Sequence, residues 1–170
     1  MNALIPLVSE DLRRTADRYV NKGGGHNHSL QATRLVYEVF MRLVGSNAET
    51  PTNRVHFMAV AATAMRQILT DHVRRRRAAK RGGDFYRVTL SGLSAGRAGT
   101  GLDIIAVHDA LARLDTIDPH QARVVELRIF AGLSNPEIAE VLGIGLRTVE
   151  KEWRRVKAWL ASELSGDQDA

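Results

Sequence analysis

The chain contains no cysteine, which excludes disulfide staples and thiolate metal centres. Only four prolines and 5% aromatic residues are spread over its 170 positions, so any core must be built mainly from aliphatic side chains. No apolar run approaches a membrane span, because the longest nearly uncharged stretch covers only residues 55–65. The N-terminus also lacks the basic-then-apolar order of a signal peptide. These absences lead us to expect a soluble, cytoplasmic protein without membrane insertion. Strand signals are missing as well, and no convincing alternating run occurs in the first half of the chain.

What is present is basic and helix-forming. Hydrophobic residues make up 44% of the chain, the formal charge is +5 and the pI is near 10.1, a balance that favours a polyanionic partner. Leu4, Leu7, Val8, Leu12, Ala16, Tyr19 and Val20 mark a first amphipathic helix. Ala32, Leu35, Val36, Val39, Phe40, Leu43 and Val44 make a second, stopped by Gly45. Residues 46–53 form a loop that contains Pro51. The longest helix follows, with Val55, Met58, Ala62, Met65, Leu69 and Val73 at alternating steps of three and four, and Ala61, Ala64 and Ile68 widening the stripe. Residues 82–102 hold six glycines among Ser, Thr and Arg and read as a flexible linker. Arg87 to Leu90 have an alternative reading there as a short strand.

Beyond the linker, Ile104, Val107, Leu111 and Leu114 define a fourth helix. Asp118 then caps a fifth, with Pro119 at its first position and Gly132 at its end. The expected fold is therefore all-α, with two small helical domains, at residues 1–81 and 103–165, joined by the 82–102 linker. The tail after Leu164 reads as frayed.

Residues 133–159 organise the second domain. Ser134 and Glu137 have the spacing of a capping box, Pro136 lies in the tolerant first turn, and Gly143 supplies a left-handed stop. After Gly145 the chain restarts, and Val149, Trp153, Val156 and Leu160 line one side of the new helix. Arg147, Thr148, Lys151, Arg154 and Arg155 occupy its other faces. A lone basic helix is more often a solvated surface. Here a capped short helix, a glycine turn and a basic second helix occur in order, the pattern of a helix-turn-helix that enters the major groove.

A second basic concentration spans residues 66–81, where seven cations (Arg66, Arg74, Arg75, Arg76, Arg77, Lys80, Arg81) face one acid, Asp71. One or two cations would complement a helix C-terminus. Four consecutive arginines exceed that role and favour a phosphate-backbone track. Two basic elements on a flexible tether fit two DNA contacts on one molecule.

Other constellations are weaker. His26 and His28 flank Asn27 in a glycine-rich loop, but no cysteine or acidic cluster stands nearby to complete a metal site. Gly23 to Gly25 lack the Gly-Lys-Ser/Thr ending of a phosphate loop. No metal, cofactor or catalytic group is expected, and the chain does not read as an enzyme. On the second helix, Arg34, Tyr37, Glu38, Met41 and Arg42 lie away from the apolar stripe, a mixture that fits either a docking surface or ordinary solvent exposure.

Taken together, the chain resembles the extracytoplasmic-function (ECF) sigma factors of the sigma-70 family. The stretch ATRLVYEVFMRLV is similar to the family's polymerase-binding helix, NRVHFMAVAATAMRQILTDHVRRRRAAKRGG to the helix that opens and reads the −10 element, and DPHQARVVELRIFAGLSNPEIAEVLGIGLRTVEKEWRRVKAWL to the domain that reads the −35 element. The block HVRRRRAAKRGG, with Trp153 and Trp159, is especially like one ECF-like subgroup. The resemblance implies core RNA polymerase and promoter DNA as partners, and admits an anti-sigma factor. Carried over by position, it implies polymerase docking by Arg34, Tyr37, Glu38, Met41 and Arg42. It assigns the −10 element to Asn53, Arg54, His56, Arg66, His72, Arg74 and Arg75, and the −35 element to Arg147, Thr148, Lys151, Arg154 and Arg155.

Three positions depart from the family pattern. Arg34 and Tyr37 stand where many members carry an acid and a glutamine, and Gly145 replaces the usual Ser/Thr cap of the recognition helix. Two other readings stay open from the residues alone. One is a helix-turn-helix regulator that never docks on polymerase; the other is a recombinase, which would need a catalytic Ser or Tyr on a mixed α/β domain.

Overall fold

Local signals for starting and stopping helices are strong along this chain, and its architecture follows them. A computed structural model describes residues 4–20, 28–45, 51–79, 87–88 and 102–166. The His26–Asn27 pair, most of the 46–53 loop, most of the 82–102 linker, and the side chains of Arg76, Arg77, Lys80 and Arg81 lie outside the described residues. In chain order the helices are α1 (Leu4–Val20), α2 (His28–Val44), α3 (Arg54–Ala79), α4 (Ile104–Ile117), α5 (Pro119–Glu126), α6 (Asn135–Leu142) and α7 (Leu146–Gly166). The fold is all-helical apart from two-residue strands, β1 (Arg87–Val88) and β2 (Leu102–Asp103), which pair antiparallel with Arg87 opposite Asp103.

Caps form where the sequence places them. The Asp118 carboxylate accepts from Gln121 N at 3.0 Å, and Pro119 sits where a missing N–H costs nothing. Ser134 and Glu137 make the full capping box at the start of α6. Gly132 and Gly143 are left-handed, with φ of 68° and 63°, and close α5's continuation and α6. α7 starts on Gly145, whose carbonyl accepts from the N–H groups of Thr148 and Val149.

α3 buries a broad apolar face between Met58 and Val73 and leaves Thr63, Gln67 and Asp71 on an exposed line. Met58, Ala59, Ala61, Ala62, Ala64, Met65, Ile68, Leu69 and Val73 are all buried. It packs on α1 and α2 at one side and on α4, α5 and α6 at the other. Its alanines let those neighbours approach closely. A single apolar cluster therefore runs from Val8, Leu12 and Ala16 of α1 through α3 to Phe130, Ile138, Val149, Val156 and Leu160.

Three details differ from expectation. Val44 is 80% exposed rather than part of the α2 stripe; at 100° per residue it lies about 180° from Leu35, on the side of Tyr37. α7 stays helical through Gly166 instead of fraying after Leu164. The fifth helix reaches Ala131 only by widening, since residues Leu127–Ala131 form a π-helical turn.

That turn is pinned from the first half of the chain. Tyr19 stacks on Phe130 with ring centroids 5.9 Å apart, and its hydroxyl donates to the carbonyl of Ile129. This satisfies one of the acceptors that a helix C-terminus leaves open. Burial pushes the Tyr19 phenol far above its ordinary pKa, so it remains a donor. The Arg18 guanidinium lies over Gly132, in the space that a Cβ there would take.

Gly132→Ala and Gly143→Ala both place a Cβ on a left-handed backbone, at a cost of about 1–2 kcal/mol. Around Gly143 there is open space within 4 Å, so only Gly132→Ala also displaces Arg18. Urea denaturation should show Gly132→Ala to be the more damaging of the two, and equal losses would contradict the packing described around Arg18.

Candidate nucleic-acid interface

The α7 face is built as the periodicity requires. Val149, Val156 and Leu160 are buried, and Arg147, Thr148, Lys151, Arg154 and Arg155 are all exposed. None of those five side chains makes an ion pair or hydrogen bond among the described residues. α7 is held from behind: Arg113 of α4 pairs with Glu163 at 2.7 Å, His120 of α5 lies 3.0 Å from Glu152, and the Arg128 guanidinium sits 5.3 Å from the Trp153 ring centroid. Arg128 also donates to Asn135 Oδ1 at 2.9 Å, joining the π-helical turn to α6. These contacts fix which side of α7 faces out.

The residues assigned to α3 and its lead-in are arranged differently. On a straight helix Arg54 and His72 share one line, His56 and Arg74 another roughly 160° away, and Arg66 falls between them. They therefore do not converge on one face, and most are already engaged. Asn53 caps α3 by accepting from His56 N at 2.8 Å, and its amide donates to Glu140 at 3.2 Å. Arg54 bridges Asp11 at 3.1 Å and Glu137 at 2.7 Å. Arg66 pairs with Glu126 at 3.3 Å, and Arg74 with Asp109 at 3.8 Å. Arg75 is exposed and its Nε donates to the Asp71 carbonyl. His56 Nδ1 lies 3.4 Å from the Thr52 hydroxyl.

On α2, Tyr37, Met41 and Val44 form an exposed strip at helical spacing, 62%, 53% and 80% accessible. Arg34 and Arg42 are exposed beside it. Glu38 accepts from Arg34 at 3.0 Å and lies 2.9 Å from His72 Nε2, so the docking set and the α3 set touch at this pair. Burial would raise the Glu38 pKa, but bonds from His72 and Arg34 outweigh it and hold the carboxyl below its ordinary value.

Between the halves lies a charged seam that reading along the chain did not find. The Glu126 side chain, 9% exposed, is met by Arg66, by Arg123 at 2.5 Å and by the Thr63 hydroxyl at 3.2 Å. Arg123 also donates to the Ala59 carbonyl at 3.0 Å. One available signal was the phase of Glu126, four residues after Ala122 and before Phe130, on the buried side of α5. Nearby, a cleft of about 340 Å³ separates α1 and α3 from the stretch between Ala131 and Glu137, with Arg54 crossing it. Burial would raise the Glu137 pKa, but bonds from the Ser134 backbone and hydroxyl and the charge of Arg54 win, and its carboxyl sits low. Among the described residues, no group of three or more His, Cys, Asp or Glu could hold a metal ion, and no helix is long and apolar enough to cross a membrane.

A family model described as ECF sigma factor matches residues 1–166. No curated protein and no solved structure matches the chain.

Two outcomes follow from the seam. Removing one member of a buried ion cluster strands the others, so Glu126→Ala should cost about 3–5 kcal/mol in urea denaturation. Glu163→Ala, which breaks the more exposed pair with Arg113, should cost at most about 1 kcal/mol; similar losses would show that Glu126 is not enclosed as described. The second outcome concerns His108, whose Nδ1 has no hydrogen-bond partner among the described residues. Burial, then Arg66 and Arg74, lower its pKa, while Asp109 and Asp71 oppose them. The unfolded chain then takes up this proton first. Its contribution to stability is full above about pH 6.5 and drains as the pH falls toward the depressed value. His108→Asn should flatten thermal stability between neutral and mildly acidic pH, and an unchanged slope would remove His108 as its cause.

Proposed function

This chain belongs to the ECF sigma factor family, and we propose that it directs core RNA polymerase to a subset of promoters through two separate DNA contacts. The observation that carries the reading is α7. Its Arg147, Thr148, Lys151, Arg154 and Arg155 are exposed and have no side-chain partners among the described residues, while the opposite side is buried and braced by α4, α5 and Arg128. A rigid helix that presents such side chains outward suits base edges and phosphates in the major groove of a −35 element.

On this reading residues 103–165 form the upstream-reading domain and residues 1–81 the domain that binds polymerase and melts the −10 element, with 82–102 as the tether. The exposed Tyr37–Met41–Val44 strip flanked by Arg34 and Arg42 supports α2 as the docking helix, since an apolar centre with a charged rim suits a protein surface. The Arg66–Arg81 charge concentration supports α3 and its continuation as the melted-strand track. Asn53, Arg54, His56, Arg66, His72, Arg74 and Arg75 would share that work. Extruding a base costs a few kcal/mol, which contacts of this kind offset. On this reading the protein acts in the cytoplasm, without cofactor or metal and not as an enzyme, and the family resemblance admits an anti-sigma factor as a further partner.

Run-off transcription from genomic promoters with core polymerase tests the reading. Transcripts should depend on the protein, and the protein should co-purify with core; failure of both would sink it. Within that assay Arg147→Ala should cost about 1–3 kcal/mol at one base position of the upstream element. Arg75→Ala should weaken binding evenly across sequences and flatten the salt dependence by about one unit. Indistinguishable profiles for the two variants would refute this division of labour.

A further inference from the structure

Cations are not all that α7 exposes near its start. Leu146, its first residue, is 42% accessible. Glu150 is exposed as well, and its carboxylate makes no hydrogen bond or ion pair among the described residues. The next acid on the helix behaves differently: Glu152 is turned inward, 3.0 Å from His120. At 100° per residue Leu146 and Glu150 stand about 40° apart, on the flank of Arg147 opposite to Thr148. They make a narrow edge of one apolar and one acidic group. It lies at the N-terminal end of the helix, the end from which a recognition helix meets base edges.

On a surface that only gathers phosphates, this acid is a liability, because it repels the same backbone. It does not serve to restrain Arg154 either, since the favourable four-residue ion pair is not formed. Base edges offer it a partner. Cytosine presents its N4 amino donor in the major groove, whereas guanine and thymine turn acceptors toward a carboxylate. Adenine sets an acceptor beside its donor, and a carboxylate can only accept. The apolar group in the groove is the thymine methyl, which suits Leu146. Both marks belong to pyrimidines. We propose that Leu146 and Glu150 form a second reading edge of α7, selecting a thymine and a cytosine on one strand beside the bases met by the cations. The proposal rests on the placement of α7 in the major groove. Four residues of helix rise by about 6 Å, or roughly two base steps of about 3.4 Å, so the two pyrimidines lie within two steps of each other.

The test is selection from a random-sequence duplex DNA library by the full chain, with the bound duplexes sequenced. The unsubstituted protein is compared with Glu150→Gln, Leu146→Ala and Asp115→Asn, the last removing one exposed charge from α4 instead of α7. Glutamine and alanine are good helix formers and both α7 positions are exposed, so the fold is retained, and circular dichroism verifies it. Duplexes carrying uracil in place of the selected thymine report the methyl contact alone.

The unsubstituted chain should enrich a motif with a thymine and a cytosine within two steps. Glu150→Gln keeps the shape but offers both a donor and an acceptor, so preference at the cytosine position should move toward adenine by on the order of tenfold. The unsubstituted chain should bind the uracil duplex several-fold more weakly than the thymine one, and Leu146→Ala should bind the two alike. Asp115→Asn should change neither preference. If Glu150→Gln binds every sequence more tightly with its base preference unmoved, the acid only repels phosphates and the proposal is overturned. A chain that enriches no motif overturns it too, because α7 then reads no base. Co-purification with core polymerase and run-off transcription report separately on the sigma reading. Their failure leaves the base preferences standing, whereas an unmoved preference in a transcribing protein removes this edge alone.

Discussion

One carboxylate sets the terms for how the two halves of this chain meet. Glu126 lies on the side of α5 that faces α3, where an isolated charge would be costly. It is tolerated because Arg66, Arg123 and Thr63 converge on it. Arg66 occupies a position on α3 whose neighbours Ala62, Met65 and Leu69 are buried. Each charge is acceptable only in the presence of the other. An apolar pair could pack here in more than one register; an acid with two arginines is satisfied in one arrangement. Tyr19 works in the same sense at the far end of the seam, matching one hydroxyl to one carbonyl.

Charge is consequently distributed in a lopsided way. Among the described residues, Arg54, Arg66, Arg74 and Arg123 are paired with internal acids, whereas Arg147, Lys151, Arg154 and Arg155 of α7 have no such partner. A polyanion approaching this helix would meet cations that no internal acid screens. The exposed α2 strip of Tyr37, Met41 and Val44 lies apart from α7, while its neighbour Glu38 meets His72 of α3.

Features governed by neighbours in sequence were readable in advance. The Asp118 and Ser134 caps, the left-handed glycines at 132 and 143, and the outward set on α7 each follow from residues within a turn or two. Helical phase, applied strictly, would also have moved Val44 to the exposed side. The charged seam was not readable, because Arg54 and Glu137 or Arg66 and Glu126 are far apart along the chain and nothing local announces a partner. For the candidate site this meant that the α7 residues were found as a face, whereas those of α3 were found as a list. Only the packing of α5 and α6 reveals that Asn53, Arg54 and Arg66 share a common occupation. Membership of the ECF sigma factor family agrees with the motifs at both ends of the chain and says nothing of the contact between them.

The π-helical turn at Leu127–Ala131 has a geometric corollary. Widening a helix from four-residue to five-residue closure absorbs one extra residue without adding a full turn. Everything after it is rotated by about 100° relative to an uninterrupted helix. The α6–α7 pair is thus indexed against α3 by a single residue of surplus length. Deleting that residue would restore a regular helix, carry the Ile129 carbonyl away from Tyr19, and aim α6 and α7 in a new direction. The register of one turn serves here as the angular setting between the two halves of the molecule.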